Sequence, residues 1–457
     1  MKTNVTKIKL LSIAMLMVFS SSVMAQQPAI QYFRPYDQRG INVFETTKED
    51  TVGYDGLKLR VGAGFTQGYQ NLKHSNGLTD TSVPAANLYE LGGGFPLAQA
   101  NLNIDVQLYD GVRLNLVSYM SSHHHNEFWV KGGYLQVDKV TFLNSEFMDN
   151  LWKNLTLKVG HMEINYGDAH FRRSDGGHTL QNPWIENNIM DEFTTEIGAE
   201  LYWQKNGIIA MLALTDGEIQ GNVLAPAQPE GAKRKPSFYG KLGFDKQLQD
   251  NLRVRLTGSF YTTGSSVNNT IFGGDRTGSN YQFVMDPKTA TVTTAYTSGR
   301  FNPGFRDNVT TFMFNPFVKF SGLEVFGTIE FAKGKSQLEN GEGTNPARAA
   351  IDDRKADQIA AEALYRFGKN EKFYFGGRYI TLNATVAEGV TAANAGIQYD
   401  VTIDRLSIGG GWFITRNILL KGEYVTQNYD GFPDAGANNR FYQGKFNGFV
   451  IQGAISF

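Results

Sequence analysis

The last ten residues read Gly448-Phe449-Val450-Ile451-Gln452-Gly453-Ala454-Ile455-Ser456-Phe457. Taking every second residue back from the end gives a row that is almost entirely apolar: Phe457, Ile455, Gly453, Ile451 and Phe449. The residues between them form a smaller and more polar row: Ser456, Ala454, Gln452, Val450 and Gly448. Because successive side chains of a strand point to opposite faces, this alternation is typical of a strand with lipid on one side and water on the other. The stretch therefore predicts the closing strand of a transmembrane β-barrel.

The first 25 residues have the three parts of a cleaved secretory signal. Lysines come first, an apolar run over residues 10–19 follows, and the small-residue stretch ends at Ala25. The apolar run is shorter than the roughly 20 residues that a membrane-spanning helix needs, so it is a poor anchor. We therefore expect residues 1–25 to be a signal peptide and the mature protein to begin near Gln26.

The composition excludes several classes of function. Without the three lysines of the signal, 40 basic residues stand against 44 acidic ones, so no basic excess points to nucleic acid. The chain has no cysteine, which excludes disulfides, thiolate metal sites and cysteine nucleophiles. Its mean hydropathy of −0.31 is too polar for a bundle of membrane helices and suits a barrel that shows lipid only every second residue.

Strand-like runs recur in pairs through the rest of the chain, joined alternately by tight turns and by long polar loops. The clearest turn is Gln204-Lys205-Asn206-Gly207, whose Asn-Gly pair is a strong hairpin signal. An even number of strands is typical of closed bacterial barrels. The pattern predicts about 16 strands, at residues 57–69, 102–109, 112–120, 127–137, 155–162, 193–203, 208–215, 237–248, 252–263, 309–320, 323–333, 355–367, 372–381, 401–414, 418–427 and 448–457.

The two kinds of connection separate to opposite ends of this barrel. With Phe457 on the periplasmic side, the short turns lie there and the long loops lie outside, as expected of outer-membrane barrels. The C-terminal strand also resembles the signature that the assembly machinery of bacterial outer-membrane barrels reads. The predicted external loops are residues 70–100, 121–126, 163–192, 216–236, 264–308, 334–354, 383–400 and 428–447.

Outward-facing aromatic residues are predicted to form two girdles. A soluble sandwich does not need aromatic residues at both ends of its strands, which argues against that alternative. Pro316 lies within a predicted strand and removes a ladder hydrogen bond, so we expect a bulge there. The outer girdle would hold Phe65, Phe128, Phe193, Phe238, Phe260, Phe312, Phe331 and Phe449. The periplasmic girdle would hold Trp203, Phe244, Phe320, Phe367, Phe373, Trp412 and Phe457.

The opposite face of the strands carries many charged side chains. Charges at this density cannot face lipid, so they predict a wet interior, and a barrel of about 16 strands is wide enough for an aqueous channel. Basic residues outnumber acidic ones, which favours a mild preference for anions. The alternative is that the charges pair across strands and only keep the wall rigid. The predicted pore-lining residues are Arg60, Arg113, Lys131, Lys158, Glu196, Lys241, Arg253, Arg255, Glu330, Arg366, Arg378, Lys421 and Glu423.

The third long loop contains the densest polar segment, Glu163-Ile164-Asn165-Tyr166-Gly167-Asp168-Ala169-His170-Phe171-Arg172-Arg173-Ser174-Asp175-Gly176-Gly177-His178. With this loop, the plan of residues 26–457 resembles the trimeric 16-stranded porins of Gram-negative bacteria and, more loosely, phosphate-selective porins and porin-like proteins of the Bacteroidetes type. The resemblance implies that the loop folds into the barrel, with Asp168, Arg172, Arg173 and Asp175 facing the wall charges, and that the protein is a homotrimer. The run of loop lysines expected of a phosphate-selective pore is absent. The alternative is an exposed loop over the mouth.

Two other kinds of site can be written down from the sequence. The run His123-His124-His125 could bind a transition metal through imidazole, but adjacent histidines on one tight loop rarely converge on one ion. Asp168 with His170, or Ser174 with His178, could form catalytic pairs, but such pairs arise by composition in a polar loop. We therefore expect neither an enzyme, nor a metal site, nor a cofactor.

Residues 26–56 do not alternate like a strand, so we expect them to lie in the periplasm or in the lumen, before a barrel over residues 57–457. The segment is too short for a plug domain of an energised transporter. The sequence thus predicts an outer-membrane porin, a passive channel for small hydrophilic solutes that contacts outer-membrane lipid and lipopolysaccharide and no nucleic acid. The alternative is a non-conducting barrel, blocked by its own segments, that is a structural or assembly partner of another outer-membrane complex.

Overall fold

The computed structural model describes residues 27–121, 127–175, 177–217, 234–337, 339, 352–388, 397–436 and 438–457. The predicted signal peptide and the histidines 123–125 lie outside the described residues. Within the described ranges, sixteen antiparallel strands each pair with the next along the chain, and the first pairs with the last. The predicted all-β, up-and-down barrel is confirmed. The strands are β1 Lys58–Ser75, β2 Gln99–Tyr109, β3 Val112–Met120, β4 Trp129–Val137, β5 Leu155–Glu163, β6 Thr195–Lys205, β7 Ile208–Thr215, β8 Ser237–Gln249, β9 Leu252–Thr263, β10 Asn308–Phe320, β11 Leu323–Lys335, β12 Arg354–Phe367, β13 Phe373–Ala387, β14 Gln398–Thr415, β15 Ile418–Asp430 and β16 Lys445–Ser456.

The C-terminal strand closes the barrel in the way that its alternation predicts. Strand β16 pairs with β1 over a long ladder that runs from Gly64 opposite Ser456 to Ser75 opposite Lys445. The terminal Phe457 exchanges two backbone hydrogen bonds with Ala63, each of 3.1 Å. On the outside, Phe449 is 61% exposed and Ile451 is 50% exposed, whereas the residues between them are buried. The outer surface is therefore the apolar one, as a lipid-facing wall requires.

The two aromatic girdles are present, with one exception. Of the predicted girdle residues, all but two are exposed on the outside. Phe260 is partly buried, and Phe193 is buried. Phe193 was predicted to face outward, and this is wrong, because it precedes β6 and is 7% exposed. Its ring lies under Lys131 and Arg173, with the cations 4.5 and 4.6 Å from the ring centroid. A phenylalanine next to a strand was counted as part of that strand, although it belongs to the preceding loop.

The prediction of a bulge at Pro316 is also wrong. Strand β10 keeps one register with β9 and one with β11 on both sides of the proline. The side-chain amide of Asn315 donates to the carbonyl of Gly327 at 3.0 Å, which gives that carbonyl a partner beside a residue that has no N–H. A Cβ atom on Gly327 would lie 2.9 Å from Cγ of Pro316, so the glycine leaves room for the ring.

Replacing Asn315 is therefore expected to destabilise the barrel. Besides serving Gly327, its side-chain oxygen accepts the backbone N–H of Asp168 at 2.9 Å. Asn315→Ala removes this partner from the buried N–H of Asp168 and from the half-buried carbonyl of Gly327, which costs about 1–3 kcal/mol. Urea unfolding of the protein in detergent micelles measures this loss, and an unchanged unfolding midpoint would contradict the role assigned to the amide.

A real bulge lies in β4. The register between β3 and β4 shifts between Val117, opposite Gly132, and Ser118, opposite Val130, so Lys131 is the additional residue. Lys131 and Gln136 are an odd number of residues apart, so in a regular strand they would face opposite sides. Because of the shift, both point into the barrel, and Lys131 reaches the fifth loop. A single alternation over residues 127–137 could not predict this change of face.

The end of the barrel with short turns is called the periplasmic end, and one connection there is longer. Between β4 and β5 the chain forms a 3-10 turn, Thr141–Leu143, and helix α1, Glu146–Trp152. Ser145 caps the helix by accepting the N–H of Met148 at 3.4 Å. No helix in the described ranges is long and apolar enough to cross a membrane.

The interior of the barrel is packed by three segments. These are the N-terminal segment (residues 27–57), the third loop (residues 164–194) and the fifth loop (residues 264–307). Ile189 and Met190 of the third loop are fully buried, and so is Tyr281 of the fifth loop. The hydrophobic core thus lies inside the lumen, between the inner wall and these segments.

Candidate pore interior

Asp168 fastens the third loop to one side of the wall. Its carboxylate receives two hydrogen bonds from Arg255, of 2.8 and 2.7 Å, and one of 2.9 Å from Lys241. Glu45 of the N-terminal segment joins the same group, 2.7 Å from Arg255 and 3.2 Å from Lys241. Burial acts to raise the pKa of Asp168, but the two cations outweigh it and hold that pKa well below its ordinary value. The group is therefore a buried cluster of two cations and two anions, in which Arg255 has a further partner in Asp245, at 3.1 Å.

Arg172 makes a second attachment to the wall. It contacts Glu362 and lies 3.3 Å from Glu324, which also accepts from Arg366 at 2.8 Å. Of the four residues predicted to face wall charges, Asp168 and Arg172 therefore reach the wall.

Arg173 and Asp175 do not reach wall charges, because they pair within the loop. Arg173 lies 2.8 Å from Asp175 and 2.7 Å from Asp191. Arg300 of the fifth loop completes the cluster, 2.9 Å from Asp191 and 2.8 Å from Glu186. The sequence did not single out Arg300, because pairing between two long loops leaves no periodic signal.

The strands β12 to β15 hold the third loop by its backbone. The ammonium group of Lys421 donates to three loop carbonyls, those of Thr179, Asn182 and Trp184, at 3.0, 3.0 and 2.7 Å. Arg378 donates to the carbonyl of Glu186 at 2.9 Å. These cations therefore serve as structural ties to the loop.

Carboxylates of the wall also hold the loops, by accepting hydrogen bonds from them. Glu423 receives the backbone N–H of Ile185 at 2.9 Å and the hydroxyl of Tyr281 at 2.5 Å. Glu330 receives the hydroxyl of Tyr166 at 2.8 Å. Glu196 instead accepts a hydrogen bond from another part of the wall, from the hydroxyl of Tyr261 in β9 at 2.5 Å.

The remaining predicted wall residues differ in how their charges are paired. Arg253 lies 2.7 Å from Asp245, and Arg113 lies 3.4 Å from Asp105. Lys131 pairs with Asp275 of the fifth loop, whereas Lys158 lies 3.8 Å from Glu200. Arg60 lies over the ring of Phe33, 4.7 Å from its centroid.

The N-terminal segment crosses the periplasmic mouth. It starts at the β2–β3 turn, where Gln31 accepts the N–H of Gly111 at 2.7 Å. Gln38 reaches the far side and donates its N–H to the carbonyl of Arg416, in the β14–β15 turn, at 2.9 Å. The segment then returns to β5, where Lys48 donates to the carbonyl of Leu155 at 2.6 Å.

Side chains of the same segment enter the lumen. The hydroxyl of Tyr36 donates to Asp105 at 2.7 Å, and the amide of Asn42 donates to Glu324 at 2.7 Å. Together with Glu45, these contacts join the segment to β2, to β11 and to the Asp168 group. The segment is therefore connected to opposite sides of the inner wall.

The free space in this region lies on the β2 to β6 side. A cavity of about 180 Å³, here called the chamber, lies between those strands, the N-terminal segment and the third loop. Phe33, Arg34 and Tyr36 line it from the segment, Phe171 from the loop, and Lys158 from β5. The wall on this side is therefore separated from the loop by open space, unlike the wall around Arg255.

Arg34 is held in the chamber by groups other than carboxylates, since none of the described carboxylates forms an ion pair with it. It donates to the carbonyls of Gly40 and Phe171, at 3.2 and 2.7 Å, and lies 5.4 Å from the centroid of the Phe171 ring. Burial lowers the pKa of Arg34 to about 10, so it remains a cation at neutral pH. Burial and this nearby cation lower the pKa of His178 to about 3, so that imidazole is neutral.

The two catalytic pairs written from the sequence have other partners. Asp168 belongs to the Arg255 group, and His170 bonds the amide oxygen of Asn165 at 2.8 Å. Ser174 donates to Asn187 at 3.0 Å, while His178 contacts Arg34 at 3.3 Å. Within the described ranges, no group of three or more His, Asp or Glu side chains is arranged to hold a metal ion.

Comparisons with known proteins show similarity only to the barrel fold of solved structures. No protein-family model and no curated protein matches the chain. An anion-selective porin from Comamonas acidovorans is similar at 9% identity with a TM-score of 0.49, over 88% of this chain and 100% of that one. The outer membrane channel DcaP of Acinetobacter baumannii is similar at 11% identity with a TM-score of 0.49, over 89% and 100%. OmpT of Vibrio cholerae is similar at 10% identity with a TM-score of 0.45, over 89% and 99%. Likeness at this level says nothing about the function of this chain.

Proposed function

We propose that this chain is a passive channel of the bacterial outer membrane for small hydrophilic solutes. The closed barrel with its apolar exterior and charged interior supports a membrane channel. The observation that carries the proposal is the chamber, because polar and charged side chains of β2 to β6 face open space there and do not pack against the third loop. Solutes would pass along the β2 to β6 side, past Lys158, and not through the centre of the barrel.

The same geometry supports a mild preference for anions. On the packed side, Lys241, Arg255 and Arg366 are each paired with carboxylates. Beside the chamber, Arg34 and Arg60 rest on aromatic rings, and neither forms an ion pair with a described carboxylate. Uncompensated cations next to the only proposed path favour the entry of anions.

The reversal potential in a salt gradient tests this preference. We expect the wild-type channel to pass chloride more readily than potassium, and Arg34→Gln to reduce that permeability ratio by about twofold or more. Lys369→Gln is a matched control, since it removes an exposed cation from a periplasmic turn distant from the chamber. Cation selectivity of the wild type, or equal shifts in both variants, would contradict the proposal.

The second candidate is a non-conducting barrel that is a structural or assembly partner of another outer-membrane complex. The N-terminal segment favours it, because that segment crosses the mouth and bonds turns on opposite sides. Single-channel recording in planar bilayers separates the two candidates. Stable current steps from folded protein support the channel, and their absence supports the partner role.

Assembly as a homotrimer is also a proposal, which rests on the resemblance to trimeric porins. Light scattering of the detergent-solubilised protein measures the number of copies. A monomer under conditions that keep the barrel folded would contradict it.

A further inference from the structure

The chamber combines aromatic rings and cations that come from different elements. Phe33 and Tyr36 belong to the N-terminal segment, Phe171 to the third loop and Tyr134 to β4. A cation accompanies these rings, since Lys158 lies 5.4 Å from the centroid of Tyr134. Rings offer contact to the apolar part of a ligand, and cations offer it a charge partner.

The charges around the chamber favour an anion with a single charge. Arg34 forms no ion pair with any carboxylate that the structure describes, and Lys158 lies 3.8 Å from Glu200, with the Lys158 side chain still 25% exposed. Asp105 is fully buried and bonded to Tyr36 and Asn115, so its carboxylate is satisfied. Glu163, whose side chain is 20% exposed and 3.6 Å from His170, opposes a second negative charge.

The size of the chamber limits the ligand to a small ring. An apolar protein cavity of about 150 Å³ holds one benzene molecule. At about 180 Å³ the chamber has room for a ring of that size and one small charged group. A bare inorganic anion would leave the aromatic rings without an apolar partner.

We propose that the chamber is a binding subsite for a small monocarboxylate that carries an apolar ring. The ring would pack among Phe33, Tyr36 and Phe171, and the carboxylate would lie between Arg34 and Lys158. This inference rests on the proposed channel in one respect only, namely that the chamber is the path of the solute. Binding itself requires no conduction.

Calorimetric titration of the folded, detergent-solubilised protein with benzoate tests the subsite. We expect saturable binding of benzoate, and binding of benzyl alcohol, phosphate and phthalate that is weaker by about tenfold or more. Benzyl alcohol keeps the ring and lacks the charge, phosphate lacks the ring, and phthalate carries a second charge. Lys158→Met and Arg34→Gln should each weaken benzoate binding by about tenfold, whereas Lys369→Gln should not change it.

The outcomes separate the subsite from the channel. Lys158→Met alters only the wall, so it remains informative if Arg34→Gln disturbs the N-terminal segment. Benzoate binding without current steps would leave the subsite standing and overturn the channel. Current steps with no benzoate binding, or with phosphate binding as tightly as benzoate, would overturn the subsite.

Discussion

A variant that lacks residues 27–46 is expected to conduct at least about threefold more current than the full-length protein, since a barrel of 16 strands is wide enough for an aqueous channel once its mouth is clear. The deleted residues include those that cross the periplasmic mouth from the β2–β3 turn to the β14–β15 turn. Residues 47–57 remain and leave the start of β1 intact. Planar-bilayer recording at fixed voltage measures the difference.

The barrel should survive this deletion because the ladder between β1 and β16 begins beyond the deleted residues. The wall groups that lose partners are polar or charged and would become hydrated once the mouth opens. Arg255 and Lys241 lose Glu45 but keep Asp168. Arg253 loses the carbonyl of Asn42 but keeps Asp245, and Glu324 loses the amide of Asn42 but keeps Arg366. Circular dichroism and the heat-dependent gel shift of folded barrels check the fold.

A scrambled segment gives the matched control for length and composition. It keeps the number of residues in front of β1 but loses contacts such as those of Tyr36 and Asn42. We expect its conductance to approach that of the deletion. Equal conductance of the wild type and both variants would show that the segment does not limit the current.

The sequence could predict the barrel because membrane and water act on alternate residues of every strand. Hydrocarbon on one face forces the row Phe449, Ile451 and Ile455, and this period of two can be counted without knowing any long-range contact. The errors at Phe193 and Pro316 are local. One follows from a loop residue counted as strand, and the other from a side chain, Asn315, that replaces a backbone donor.

The interior could be predicted only in part. Alternation identifies which wall residues point inward, but it does not say what they meet, because partners in loops have no period. Asp168 and Arg172 meet the wall, whereas Arg173 pairs with Asp175, which also pairs with Arg300. The wall's excess of basic residues predicts a mild preference for anions only if the charges are free, yet many of these cations pair with carboxylates or donate to loop carbonyls. That compensation requires three-dimensional contacts and could not be counted from the strands.

Replacing Asp168 by asparagine is expected to release the third loop. The change leaves Arg255 and Lys241 buried with Glu45 as their shared carboxylate partner within the group. Removing one member of a buried ionic group costs about 3–5 kcal/mol, because the remaining charges are poorly compensated. The loss should appear as local opening of the loop, since the strand ladders do not depend on this carboxylate.

Trypsin reports this release at Arg172 and Arg173. Both arginines are buried in the wild type, so cleavage after them requires the loop to leave the wall. We expect trypsin to cut Asp168→Asn there at least about tenfold faster than the wild type. A factor of this size corresponds to only part of the expected loss of free energy. Glu371→Gln is the control, since Glu371 pairs with Lys319 at a periplasmic turn and has no contact with the Asp168 group.

The pH dependence gives the same prediction a second measurement. Because the pKa of Asp168 in the folded protein lies below its ordinary value of 3.8, its contribution is complete above that value and is lost only as the pH falls through the lower folded pKa. With an acid-stable protease such as pepsin, wild-type protection of the loop should therefore persist at about pH 3, where a carboxylate of ordinary pKa is mostly protonated. Equal cleavage of Asp168→Asn and Glu371→Gln at neutral pH would mean that the Asp168 group does not hold the loop, and the loop would then depend on Lys421 and its three carbonyl contacts.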